Sequence, residues 1–161
     1  MKIYSWRAEI VGHTIKFFIF SFIFLFVFAG CANRGQSPNN EATQIEKTVL
    51  LFGESYGTVG TIDAANVTST KFRDGIPAPI WAQRIRTRLE LIEYRRIKTE
   101  IVSVKIIDKE NAVVIARADI KTIVGSATQQ EKYFLIRPQE KWLIDDMQVQ
   151  EEETEFIEFG I

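Results

Sequence analysis

The sequence predicts an α+β fold in which N-terminal helices pack on a curved, cone-shaped antiparallel sheet of about four or more strands. Three observations carry that reading. Between Glu41 and Ile92 the apolar residues recur at helical spacing. From Ile97 to Val149, stretches rich in β-branched and aromatic residues are separated by short turn clusters, which forces antiparallel neighbours. Within the first of these stretches the apolar set shifts from Ile97 and Ile101 to Val102, Val104 and Ile106. A β-bulge produces such a one-residue change of phase, and bulges curve sheets.

Ahead of this body, residues 1–30 have the three parts of an export signal. These are a basic start (Lys2, Arg7, Lys16), an apolar stretch from Phe17 to Phe28 interrupted by Ser21, and the small residues Ala29 and Gly30 before Cys31. The run Val27-Phe28-Ala29-Gly30-Cys31 resembles the processing site of a bacterial lipoprotein signal peptide, although Phe28 stands where that family favours Leu and the basic region is long. The resemblance implies cleavage between Gly30 and Cys31, diacylation of the Cys31 sulfur with fatty acid such as palmitate, and a protein tethered to a membrane of the cell envelope with its domain facing the periplasm. Ala32 in place of Asp after the cysteine tilts the expectation toward the outer membrane. The competing reading is an uncleaved anchor. Phe17 to Gly30 falls short of the roughly 20 apolar residues of a spanning helix, and lengthening it backward through Ile10, Val11, Thr14 and Ile15 would bury His13 and Lys16.

Residues 31–41 are polar and rich in turn formers, and they read as a flexible linker. The α+β domain is expected over 42–150, followed by an acidic and apolar tail at 151–161. A first helix from about Ala42 to Tyr56 rests on Ile45, Val49, Leu50 and Phe52 and ends at Gly57. A short second helix within Gly60–Lys71 takes Asp63 as its N-cap. The loop Phe72–Pro79 is dense in turn residues, and Pro79 is placed to open a third helix with the stripe Trp81, Ile85, Leu89 and Ile92. The arginines Arg84, Arg86, Arg88, Arg95 and Arg96 read as an exposed face, with Arg86 and Glu90 at pairing distance. Contact with anionic lipid or an acidic partner is the functional alternative.

Strands are expected at 97–107, 112–123, 129–137 and 141–149. In the second, Val114, Ala116, Ala118 and Ile120 form the core face, opposite Val113, Ile115, Arg117, Asp119 and Lys121. Asp145 and Asp146 are adjacent in a strand, so they point apart and cannot form a paired carboxylate site. In the tail, Glu151, Glu152, Glu153 and Glu155 precede Phe156, Ile157 and Phe159, a pattern open to disorder or to one more strand added to its own sheet or to a partner.

Helices followed by a long curved meander resemble the order of the nuclear transport factor 2-like fold, and Trp142-Leu143-Ile144-Asp145 is similar to a Trp-x-Ile-Asp stretch of such domains. A cystatin-like sheet and a lipocalin-like barrel are the alternatives. The resemblance implies a cone whose helices and sheet enclose a pocket, which in the isomerases and dehydratases of the fold holds an Asp, Tyr or His. The candidate pocket residues here are Tyr56, Trp81, Tyr94 and Tyr133, with Asp63 and Asp119 as candidate acids. Each also has a plainer reading. Tyr56 and Trp81 lie on apolar stripes, and Asp119 alternates with Arg117 and Lys121 in a solvated charge row.

Composition narrows the function further. Beyond residue 30 there are 17 basic and 20 acidic side chains, a net charge of −3, without the clustered basic excess that nucleic acid requires. His13 and Cys31 are the chain's single histidine and cysteine, and neither lies in the domain. This excludes Ser-His-Asp and Cys-His nucleophiles, His- or Cys-held metal or haem, and a disulfide framework. No cofactor is expected. The expectation is a non-catalytic, membrane-anchored binding or assembly module with a small apolar ligand or an envelope protein as partner. Two readings stay beside it: an isomerase-like or dehydratase-like enzyme using a lone Asp or Tyr, and an uncleaved membrane-tethered subunit of a secretion-type assembly. Two structural expectations follow: Trp81 and Trp142 are buried, and no carboxylate lies deep in the cone with a strongly raised pKa.

Overall fold

The computed structural model describes residues 38–156, so Gly30, Cys31, the greater part of the linker, Ile157 and Phe159 lie outside the described residues. Three α-helices, α1 (Pro38–Ser55), α2 (Thr61–Asn66) and α3 (Ala78–Glu90), precede four strands within this range. The strands are β1 (Arg95–Ile106), β2 (Asn111–Thr122), β3 (Gly125–Ile136) and β4 (Leu143–Phe156), and they form one antiparallel sheet in chain order. Among the described residues no helix is long and apolar enough to cross a membrane.

The expected helices are present with shifted ends. α1 begins at Pro38, inside the stretch read as linker, because proline is well accommodated in a first helical turn and Glu41 adds a negative charge there. It stops at Ser55, and Gly57 with φ of +79° turns the chain away. Asp63 is not the N-cap of α2. Gly60 holds that position without a side-chain bond, and Asp63 stands exposed in the first turn. α3 starts at Ala78, one residue before Pro79.

Ile45, Val49 and Phe52 of α1 are fully buried against Val114 and Ala116 of β2, Tyr133 and Leu135 of β3, and Ile144 of β4. Trp81 and Trp142 retain 8% and 3% of their exposure, so both are core residues as expected. Helix and sheet approach closely at Gly53, where a Cβ atom would lie 2.5 Å from Thr99 Oγ1. Every other residue of β2 faces this core in the predicted phase.

At the β3–β4 turn, Arg137 pairs with Glu41 at 2.7 Å and Glu140 at 2.6 Å, and its guanidinium lies 5.7 Å from the centre of the Trp142 ring. The segment after α2 is pinned to the start of β4. Ile144 N–H donates to the Val67 carbonyl at 2.9 Å, and Ser69 N–H donates to the Ile144 carbonyl at 2.8 Å. Asp145 is the extra residue at a bulge between the Phe134 and Leu135 rungs, where it accepts from Ser69 Oγ at 2.7 Å and Lys71 Nζ at 2.6 Å. β4 outruns the expected end at Val149. β3 begins at Gly125, and its first six residues supply rungs for Glu151–Phe156, so the acidic run continues the sheet of its own chain. Backbone pairing here outweighs the poor strand propensity of glutamate.

Candidate functional site

The site is built on β1 and β3, and a bulge decides its chemistry. Between the rungs Arg96↔Ile120 and Lys98↔Asp119 the first strand carries one residue more than the second. Side chains alternate along a strand, so this extra residue reverses the faces on either side of it. Ile97 is left 64% exposed, while Arg96 turns inward. A second irregularity between Ile101 and Ser103 does the same to Val102, which is 58% exposed. Ile97, expected in the core, is therefore outside it. Arg96, expected on an exposed basic face, is buried.

On β3 the inward residues are Gln129, Glu131, Tyr133 and Leu135. Arg96 and Glu131 form a two-pronged ion pair, Nη1 to Oε2 and Nη2 to Oε1, both at 2.8 Å, with side chains 3% and 0% exposed. Gln129 Nε2 donates to Glu131 Oε1 at 2.6 Å, and the Tyr133 hydroxyl donates to Oε2. Four donors thus converge on one carboxylate. Arg96 Nε is buried without a hydrogen-bond partner.

Burial alone would raise the Glu131 pKa, but the hydrogen bonds and charge of Arg96, with Tyr133 and Gln129, bring it below the ordinary carboxylate value. Burial likewise opposes the Arg96 charge, and Glu131 reverses this and raises the guanidinium further. Tyr133 is pushed up, first by burial and then by the Glu131 charge. Burial is also the main cause of the raised pKa values of Tyr56 and Tyr94. At neutral pH the site therefore contains an ionised, saturated carboxylate and neutral phenols.

Tyr56, Trp81, Tyr94 and Tyr133, drawn from three helix–loop segments and a strand, meet in one aromatic cluster with Phe52 and Phe72. Phe52 stacks on Tyr56 at 5.0 Å and meets Tyr133 edge-on at 5.9 Å; Tyr56 meets Tyr94 edge-on at 5.9 Å and Trp81 at 6.3 Å. Phe72 bridges Phe52 at 5.7 Å and Trp81 at 5.9 Å. Gly57 admits this arrangement, since a Cβ there would lie 2.8 Å from the Tyr94 ring. Asp63 and Asp119 do not join the cluster. Asp119 lies half-buried on the opposite face of the sheet and accepts from Thr128 Oγ1 at 2.8 Å. Asp146 is exposed, and Arg86 pairs with Glu90 at 2.8 Å on the surface. No group of three metal-binding side chains occurs among the described residues.

Glu131 and the inward turn of Arg96 are the two features that sequence reasoning missed. Parity with Tyr133 and Leu135 was the available signal for Glu131.

No family model and no curated protein sequence matches the chain. Solved structures do match it. An NTF-2-like protein of unknown function from Shewanella oneidensis MR-1 aligns at a TM-score of 0.52 and 12% identity, over 68% of this chain and 98% of that one. A ketosteroid isomerase-like protein from Erwinia carotovora atroseptica SCRI1043 gives 0.54 and 14%, over 68% and 94%. The fold is nuclear transport factor 2-like. A Nostoc punctiforme PCC 73102 domain with a cystatin-like fold is similar too, at 0.54 and 12% identity, over 70% and 76%. Within the nuclear transport factor 2-like cone, the Arg96–Glu131 pair lies on the inner face of the sheet beneath the tyrosines.

Proposed function

We propose that this chain is a lipid-anchored, non-catalytic module of the bacterial cell envelope that docks on an envelope protein or holds a small apolar ligand. The observation that carries the non-catalytic reading is the saturation of Glu131. A proton-transfer enzyme needs a base with a lone pair turned to its substrate and a pKa poised near the working pH. Glu131 is instead held low by Arg96, and its oxygens accept from four donors. The likeness to a ketosteroid isomerase-like protein, at 14% identity, is a likeness of fold. Packed aromatic rings occupy the space beside the pair, which favours a protein partner at the surface over a ligand in the cone.

The anchor rests on Gly30, Cys31 and the apolar run before them. The test is purification of the tagged protein from solubilised membranes after mild cross-linking. Stoichiometric recovery of one envelope protein, or of one apolar molecule, supports the reading. A protein recovered alone that catalyses proton transfer next to a ketone would replace it with the isomerase reading.

A further inference from the structure

The buried residues of all three helices belong to the core on the inner side of the sheet. The outward residues of the strands do not join that core, yet toward the β3–β4 turn they too are apolar. Val113 and Ile115 of β2, Phe134 and Ile136 of β3 and Leu143 of β4 stand there half-buried, and the bulge in β1 adds Val102, 58% exposed. Lys132 is the charge within this patch; its amino group lies 5.0 Å from the centre of the Phe134 ring, and its stem is apolar. One face of an antiparallel sheet can be left to water when it is polar. A contiguous apolar stretch on that face marks a contact surface instead.

The charges beside the patch say what fits it. Strand register lines up Lys105, Val113, Phe134 and Asp146 across the sheet, and farther along it Lys98, Asp119, Thr128 and Glu153. Each line has a lysine on β1 and a carboxylate on β4. Lys98 also pairs with Glu100 on its own strand, whereas Lys105 and Asp146 are exposed and have no ion-pair partner among the described residues. Three strand spacings separate them, about 14 Å, beyond the screening length of roughly 8–10 Å. They cannot satisfy each other within one chain.

We propose that two copies of this chain pair through the outer faces of their sheets, about a twofold axis that runs along the strands between β2 and β3. This operation lays β1 over the partner's β4 and β2 over the partner's β3 at equal heights. Lys105 then meets the partner's Asp146, Lys98 meets the partner's Glu153, and Val113 packs on the partner's Phe134, each contact occurring twice. Turning the second copy end over end would lay β1 on β1 and bring lysine to lysine, so the charge pattern selects the axis. Four strands about 4.8 Å apart, each of twelve residues at about 3.3 Å, offer about 760 Å² per copy. That is the scale of the roughly 800 Å² per partner in stable complexes.

The test is sedimentation equilibrium of the full chain in density-matched mild detergent. The wild type is expected to form a reversible dimer. Lys105→Glu and Asp146→Lys each set like charges together at both edges of the dimer and weaken it about tenfold. Mixing the two variants restores dimerisation, because both edges of the mixed dimer again set unlike charges together. A chain that stays monomeric up to about 0.1 mM overturns the proposal and leaves the face to lipid or to a different protein. A dimer indifferent to either reversal, or one that the mixture fails to restore, overturns it as well.

Discussion

Arg96→Met removes the guanidinium from beneath the tyrosines and keeps much of its apolar stem. Glu131, fully buried, then loses two of its four hydrogen bonds and its counter-charge. Breaking one side of a buried ion pair costs about 3–5 kcal/mol, a large share of the roughly 5–15 kcal/mol that holds a domain together. With a urea dependence of about 1–3 kcal/mol per molar, the unfolding midpoint falls by roughly 2 M. The loss depends on pH in a direction that can be worked out. Without Arg96, burial is opposed only by the hydrogen bonds from Tyr133 and Gln129, and the folded-state pKa of Glu131 is expected to rise above its ordinary value of 4.5. A raised folded-state pKa gives stability that is present at low pH and lost as pH rises through it. The deficit against the wild type is therefore largest at neutral pH and shrinks toward pH values of about 4. Adding Glu131→Leu removes the stranded carboxylate and recovers part of the loss, with Gln129 and Tyr133 still lacking their acceptor. The assay is urea unfolding of residues 37–161, followed by the fluorescence of Trp81 and Trp142. A deficit below about 1 kcal/mol, or one equal at acid and neutral pH, refutes the account of Glu131 as a carboxylate held ionised by Arg96.

Trp142→Ala removes a buried indole and the ring beneath Arg137, with an expected cost of about 3–5 kcal/mol in the same assay; a cost under about 1 kcal/mol would contradict the packing. In the wild type, Glu131 and Asp145 both have folded-state pKa values below the ordinary ones, so their contribution is complete above the ordinary unfolded-state values and is lost as pH falls from there through the folded-state values. Asp145→Asn should flatten the acid limb of the stability curve, and an unchanged limb counts against the Ser69 and Lys71 contacts. Cys31→Ser should leave an uncleaved precursor that takes up no labelled palmitate, and equal label in both proteins sinks the lipid anchor.

The inward face of β2 was legible because Val114, Ala116 and Ala118 alternate without interruption. The stripe of α1 was legible for the same reason at helical period. β1 was harder. Its change of phase was visible in the sequence, but a bulge fixes faces only when its position is known to the residue. Two irregularities, at Ile97 and Val102, exchange an apolar residue for Arg96 on the inside. Glu131 was hidden because its acceptability depends on Arg96, 35 positions away in the chain. Local chemistry makes a carboxylate costly in a core, and only the tertiary pairing reverses that sign. Asp63 illustrates the opposite error. It is a good capping residue type, but the turn closes earlier, at Gly60.

The grip of Arg137 on Glu41 would acquire a mechanical meaning if the domain were pulled from its N-terminal side. A pull transmitted through Pro38 reaches the first turn of α1, where the ion pair and the Trp142 ring lie close by. Behind that turn, Ile45, Val49 and Phe52 are locked in the core, so displacing the helix loads these contacts together. Tension would meet the helix and its clasp first, and the clasp would pass it to the β3–β4 turn beside the strand that carries Glu131.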